Sequence, residues 1–251
     1  MIRGVKSLPS ILAAWLGAAT VLGAWAAAPA PAAAPPAFED TLAQRTLACT
    51  ACHGTQGRAG PDGYYPRIAG KPAGYLYNQL LHFRDGRRHY GLMTRLLDPL
   101  SDAYLLEIAQ HFASLQVPYP APAPARAPAE VLARGRVLAL QGDASRQLPA
   151  CAGCHGVALT GVLPNTPGLL GLPRDYLNGQ LGAWRSGQRR AHAPDCMAQV
   201  ARALPPEDLT AVATWLAAQP LPADPKPVAR LPQPAPIACG SAVLPAGRVT
   251  P

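Results

Sequence analysis

The chain has 251 residues and a formal net charge of +8, with 49% hydrophobic but only 6% aromatic residues. That length admits one or two domains. So few large side chains bury little apolar area per residue, a deficit that a large prosthetic group filling the core would remove. No Arg/Lys cluster interleaved with aromatics is present, which excludes nucleic acid as a partner. The charge is uneven, net +1 over residues 27–120 and +5 over 121–251, and points to an acidic partner near the second half or to an anionic membrane surface.

Residues 1–26 read as an export signal. Arg3 and Lys6 form a basic start, Leu8 to Trp25 is an apolar run, and Ala24-Trp25-Ala26 is a small-x-small cleavage site. The rival reading is an uncleaved membrane anchor. Either way the folded part lies outside the cytoplasm, where disulfides persist. Residues 27–38 are a Pro/Ala leader. A first domain over 39–117 contains Tyr75-Leu76, Gln79-Leu80 and Phe83 at helical spacing, with Gly86 to stop the helix. Ser101 is a candidate N-cap for a helix carrying Leu105, Ile108, Phe112 and Leu115 on one face. Residues 118–128 are a Pro-rich linker that favours extended geometry. In a second domain over 129–220, Pro205-Pro206 opens a helix carrying Leu209, Val212, Trp215 and Leu216. A Pro-rich extended tail follows over 221–251. No alternating strand run is visible, so the expected fold class is all-α with long loops.

The halves repeat each other. Residues 66–88 aligned with 167–189 give ten identities in 23 positions, among them Tyr75/Tyr176, Gln79/Gln180, Arg84/Arg185 and Arg88/Arg189. A motif present in both halves is therefore far more credible than one found once. Each half holds one Cys-x-x-Cys-His: Cys49, Cys52 and His53, then Cys151, Cys154 and His155. On a helical turn, residues i and i+3 face one side, so both thiols reach the vinyl groups of one porphyrin edge while the histidine faces the iron. Zinc needs further ligands at regular spacing. A thioredoxin-like pair needs a βαβ context, and a plain disulfide does not explain the histidine in both copies. The motifs predict two covalently attached haem c groups.

Met93 and Met197 are the only methionines besides the initiator, 40 residues after His53 and 42 after His155. They are the candidate sixth ligands, so that the iron ligands are His53, Met93, His155 and Met197. His89 and His192 are rival ligands without counterparts in the other half, and flexible core filling is the bland alternative for the methionines. His/Met ligation raises the reduction potential, and six-coordinate iron has no open position for substrate, which favours electron transfer over catalysis.

Cys-Thr-Ala-Cys-His-Gly, Tyr-Pro-Arg-Ile-Ala-Gly-Lys, Tyr-Leu-x-x-Gln-Leu, Phe-Arg-Asp-Gly-Arg-Arg and the late Met together resemble the cytochrome c4-type dihaem proteins, which are tandem class I c-type cytochrome domains of the bacterial periplasm. The resemblance covers residues 40–220. It implies that Pro66 and Pro167 orient the proximal histidines through a backbone carbonyl. It also implies haem propionates near the domain interface, with Tyr75, Tyr176, Arg84 and Arg185 as candidate partners. As function it implies a periplasmic electron shuttle between a quinol-oxidising cytochrome bc complex or periplasmic dehydrogenase and a terminal oxidase. A dihaem peroxidase or thiosulfate-oxidising enzyme is the alternative, and it requires one haem without Met. Two features depart from the family pattern, the Pro-rich tail and the additional Cys196 and Cys239. In an oxidising compartment a Cys196–Cys239 disulfide is expected to pin the tail across the loop bearing Met197. The sharper alternative makes Cys196 itself an iron ligand.

Overall fold

Ser101 accepts a hydrogen bond from the Tyr104 amide at 3.3 Å and so starts the helix that organises the first half. In the computed structural model, which describes residues 40–242 except 61 and 123, this helix spans Asp102–Ser114. The export signal, the leader up to residue 38 and the last nine residues of the tail lie outside the described part. Five helices build the first half: α1 (Leu42–Arg45), α2 (Leu47–His53), α3 (Ala73–Arg84), α4 (Gly91–Leu97) and α5 (Asp102–Ser114). α3 packs on α5 and on α4, and their apolar sides form one core of Leu76, Tyr77, Leu81, Phe83, Leu97, Leu105, Leu106, Ile108, Ala109 and Phe112.

The second half repeats the plan with α6 (Ala129–Leu140), α7 (Ala152–His155), α8 (Arg174–Ser186), α9 (Cys196–Ala203) and α10 (Pro206–Ala218). Pro206 occupies the first turn of α10, where its missing N–H costs nothing, and Glu207 and Asp208 complement the helix N-terminus. α6 crosses α10 at close range. A Cβ on Gly135 would lie 2.2 Å from the Ala211 carbonyl oxygen, so only glycine permits that approach. This half has its own core, which includes Leu138, Leu177, Leu209, Val212 and Leu216.

The described residues are mostly helical, as expected, with one short exception. Gly161–Val162 (β1) and Thr166–Pro167 (β2) form a two-residue antiparallel hairpin, too short to leave an alternating pattern in the sequence. The linker segment is extended and docked. Buried Arg67 donates to the carbonyls of Val117 and Pro118 and stacks 3.8 Å above the Tyr119 ring. The halves meet through α3, the loop around Pro164 and the turns that follow α3 and α8. The Tyr75 amide donates to the Pro164 carbonyl, and Arg88 and Arg189 pair through their backbones in an antiparallel bridge at the centre of the duplication. No helix among the described residues is long and apolar enough to cross a membrane.

Candidate cofactor sites

α2 and α7 each end on the His of a Cys-x-x-Cys-His motif, so each cysteine pair lies one helical turn apart beside its histidine. A glycine then turns the chain, Gly54 at φ 73° and Gly156 at φ 84°. At Gly54 a Cβ would fall 2.4 Å from the Ala59 carbonyl oxygen. The turns aim the imidazoles inward, and both are buried. His53 Nδ1 donates to the Pro66 carbonyl at 2.7 Å, and His155 Nδ1 donates to the Pro167 carbonyl at 2.7 Å. The bond places the ring proton on Nδ1 and leaves Nε2 free to ligate. Burial pushes the pKa of both rings down, against the pull of the proline carbonyls, which favours the neutral, ligating form. Burial also pushes the Cys49 thiol up and Cys151 up to about 11. These are not the depressed values of reactive or metal-bound thiolates.

In the first half, a cavity of about 590 Å³ lies between Cys49 and His53 on one side and Met93 of α4 on the other. The repeated stripe Tyr75, Leu76, Gln79, Leu80 and Phe83 is one wall of that cavity. The far wall comes from the second half, with Tyr176, Gln180 and Arg189. In the second half, Cys151, Tyr176, Trp184 and Met197 pack around one core cluster, and Met197 sits in the first turn of α9. Asp195 caps α9 through the Ala198 amide at 3.0 Å and also accepts from the Ala191 amide at 2.7 Å, which fixes the loop ahead of Met197. Of the rival ligands, His89 also lines the first cavity, whereas His192 stacks against His82 with ring centroids 5.0 Å apart.

Between the two sites lies a network that obeys the duplication. Arg88 donates to Gln79 at 3.1 Å, Gln180 at 2.6 Å and the Tyr176 hydroxyl at 3.4 Å. Arg189 donates to Gln180 at 2.8 Å, Gln79 at 2.7 Å and the Tyr75 hydroxyl at 3.4 Å. Arg189 is 3% exposed, stacks on Trp184 and keeps an unpartnered Nε. Neither guanidinium forms an ion pair with a carboxylate among the described residues. Nearby His82 is pushed down to about 3 by burial, by His192 and by Arg189, Arg87 and Arg88, so it adds no charge at neutral pH. Buried Arg189, with half-buried Arg88 beside it and no counter-charge for either, is costly, and the pair suits a ligand that brings its own carboxylates to this interface. Haem does so through its propionates, and the donor set, the cavity and the arginines fit it together.

Arg84 pairs with Asp85 and Asp102 and donates to the Leu100 carbonyl, while Arg185 donates to the carbonyls of Ala201 and Leu204. Each ties its α3-type helix to the end of the neighbouring methionine-bearing segment, and neither lines the first cavity. Arg88 and Arg189 line it instead, with Gln79 and Gln180. All four stood among the repeated identities, which was the available signal. One expectation is corrected, at Cys196. Its sulfur is bonded to Cys239, so it is not free to ligate iron, and the expected disulfide is present.

No family model matches the chain. A curated relative, the thiosulfate dehydrogenase electron acceptor of Thiomonas intermedia, is 41% identical over 207 residues, covering 81% of this chain and 90% of the relative. Cytochrome c4 of Pseudomonas aeruginosa is 32% identical over 174 residues, covering 68% of this chain and 84% of the relative. The chain belongs to the cytochrome c4 family. The crystal structure of reduced recombinant cytochrome c4 from Pseudomonas stutzeri superposes with a TM-score of 0.59 at 30% identity, over 69% of this chain and 94% of that one. The fold is accordingly a tandem of class I cytochrome c domains, and the chain is a dihaem electron-transfer protein with two covalently bound haem c groups.

Proposed function

We propose that this cytochrome c4 relative is a periplasmic electron carrier that takes electrons from a periplasmic thiosulfate dehydrogenase and delivers them to a terminal oxidase. Cys49 and Cys52 hold the first haem and Cys151 and Cys154 the second, with His53/Met93 and His155/Met197 as axial pairs. Bound haem supplies the one-electron ferric/ferrous couple. The chain's own residues set the terms of that couple. Pro66 and Pro167 orient the histidines. The two cores keep water from the sites. Arg88 and Arg189, held by Gln79, Gln180, Tyr75 and Tyr176, neutralise carboxylates between the domains and link the two sites through one hydrogen-bonded network.

The observation that carries the electron-carrier reading is the matched pair of His–Pro contacts, both 2.7 Å, one in each half. The choice of donor is supported by the 41% identity to a protein named for accepting electrons from thiosulfate dehydrogenase. The net +5 of residues 121–251 suits a partner with an acidic docking surface.

A pyridine haemochrome assay should count two haems per chain, and the oxidised protein should show the weak red-end absorption of Met-ligated ferric haem. Met93→Ala and Met197→Ala should each convert one haem to high spin. Stopped-flow mixing with thiosulfate dehydrogenase and thiosulfate should then reduce both haems of the unmodified protein. Reduction no faster than by thiosulfate alone would refute the proposed donor and leave the ligation intact. A haem already high-spin before substitution would refute the ligand set.

A further inference from the structure

The tail does more than trail from α10. Its Val228 pairs in parallel with Val162 of the β1–β2 hairpin, donating to the Gly161 carbonyl at 3.0 Å and accepting from the Leu163 amide at 2.9 Å. That hairpin ends at Pro167, whose carbonyl holds His155. Further on, the tail lies over the attachment turn itself, since a Cβ on Gly153 would sit 3.6 Å from Pro236 Cγ. It then reaches the opposite side of the site. Cys239 is bonded to Cys196, the neighbour of Met197, and the Gly240 amide donates to the Pro194 carbonyl at 2.8 Å. Gly240 is pressed against this loop so closely that a Cβ would lie 2.3 Å from the Ala193 carbonyl oxygen. The tail finally crosses to the first domain. Asn78 of α3 donates to Ser241 Oγ at 3.0 Å and accepts from the Ala242 amide at 2.8 Å, and Ala242 packs on the first core.

One segment therefore fastens the histidine side, the cysteine turn and the methionine side of the second site. Separating Met197 from His155 requires α9 to move against a strap anchored on both flanks. In the first domain, among the described residues, α4 carries no disulfide, and Thr94 donates its hydroxyl to the Phe83 carbonyl at 3.2 Å. We propose that residues 221–242 are a disulfide-locked clamp across the second haem crevice, with Cys196 and Cys239 as positioning residues that hold Met197 on its iron, while the first crevice is left free to open. The inference rests on the His/Met ligand set proposed above. Its consequence is an asymmetry between near-identical sites. The first haem can exchange its methionine for an outside ligand, and the second is held six-coordinate.

Imidazole, which displaces methionine from ferric haem, is the probe. The full-length ferric holoprotein in a Met93→Ala background isolates the second haem, whose red-end band reports Met197 directly. Replacing the bridge through Cys196→Ser with Cys239→Ser should tighten imidazole binding at the second haem by about tenfold or more, in the range of a coupled local opening. Serine at both positions avoids a new thiolate ligand. If that variant does not mature, the same measurement is made on protein whose disulfide is reduced with a phosphine, alkylated and reoxidised with ferricyanide. Val228→Pro, which removes the amide donated to Gly161 and keeps the bridge, should move the affinity in the same direction by a smaller factor. An imidazole affinity within twofold of the intact bridge in both unbridged forms would overturn the clamp. Absence of the red-end band in the bridged Met93→Ala protein would instead overturn the ligand set on which the clamp rests.

Discussion

Gly135 offers a test of how the second site is supported, because the sign of its substitution is decided by geometry and not by propensity. In a helix interior, Gly→Ala ordinarily stabilises by about 0.5–1 kcal/mol through the reduced entropy of the unfolded chain. At Gly135 the added methyl would meet the Ala211 carbonyl oxygen at 2.2 Å, its carbon at 2.7 Å and Trp215 Cβ at 2.8 Å. Ordinary contact begins near 3.4 Å, so α6 and α10 must part by about 1 Å, and the obstructing atoms are backbone that cannot rotate aside. Overpacking of this kind costs about 1–3 kcal/mol. With the upper part of that range set against the propensity gain, Gly135→Ala should destabilise by about 2 kcal/mol. Gly182, in the interior of α8, is the control, because nothing lies within 4 Å of its Cβ position and alanine there should stabilise by about 0.5–1 kcal/mol. Guanidinium denaturation of the ferric holoproteins, followed in the far ultraviolet and at the Soret band, measures both. The α6–α10 crossing backs α7 and hence the Cys151 attachment turn, so the Soret transition should fall together with the helical one. A Gly135→Ala protein as stable as its parent would refute the close crossing, whatever the control does.

Two further expectations concern charge. Arg189→Gln removes a buried cation from the interface and should lower the reduction potentials by tens of millivolts, because oxidised haem carries one more positive charge than reduced haem; spectroelectrochemical titration reads this, and unchanged potentials would place Arg189 away from both haems. Asp208 is 5% exposed and ion-paired with Arg134 at 2.7 Å and Arg146 at 2.7 Å, so Asp208→Asn should cost about 2 kcal/mol at pH 7 by chemical denaturation. The Arg134 bond holds Asp208 below the usual carboxylate range, and Ser145, Arg146 and Arg134 hold Asp143 down to about 2. A carboxyl with a depressed folded pKa stabilises fully above about pH 4 and loses that contribution as pH falls through its folded pKa, so the variant's stability should fall less below about pH 4 than the parent's.

The attachment sites were legible because their chemistry is local. A thiol pair and a histidine within five residues need only one helical turn to become a candidate site, and the duplication supports each copy. The helices were legible for a similar reason, though the stripe Tyr75, Leu76, Gln79, Leu80 and Phe83, which reads as a core face, is the wall of the cofactor cavity. The choice of arginines was not legible. Arg84 and Arg88 are both repeated, and only the turns at Gly86 and Gly187, with φ of 70° and 79°, decide which pair swings inward. Those turns send the chain back so that Arg88 and Arg189 meet across the duplication, while Arg84 and Arg185 stay with their helix ends. The tail was legible only at its cysteines. A Pro-rich segment has no periodicity, and its partners at Val162, Gly153 and Asn78 lie far away in sequence.

The same duplication sets up a conflict that the tail resolves. Repeating one domain about a pseudo-twofold brings identical side chains together at the axis, and here that brings half-buried Arg88 and buried Arg189 together between the halves. Gln79, Gln180, Tyr75 and Tyr176 hold both groups, and the carboxylates proposed above would supply the missing negative charge. Symmetry by itself would also give the two irons equivalent surroundings, with nothing to distinguish them as members of a relay. The tail lies outside the repeat and joins the second site's histidine hairpin, attachment turn and methionine loop to the first domain's α3. Among the described residues, its disulfide and its hairpin pairing fall on the second site alone. The two sites therefore differ most in what holds them closed, and the residues responsible are those that have no counterpart in the other half.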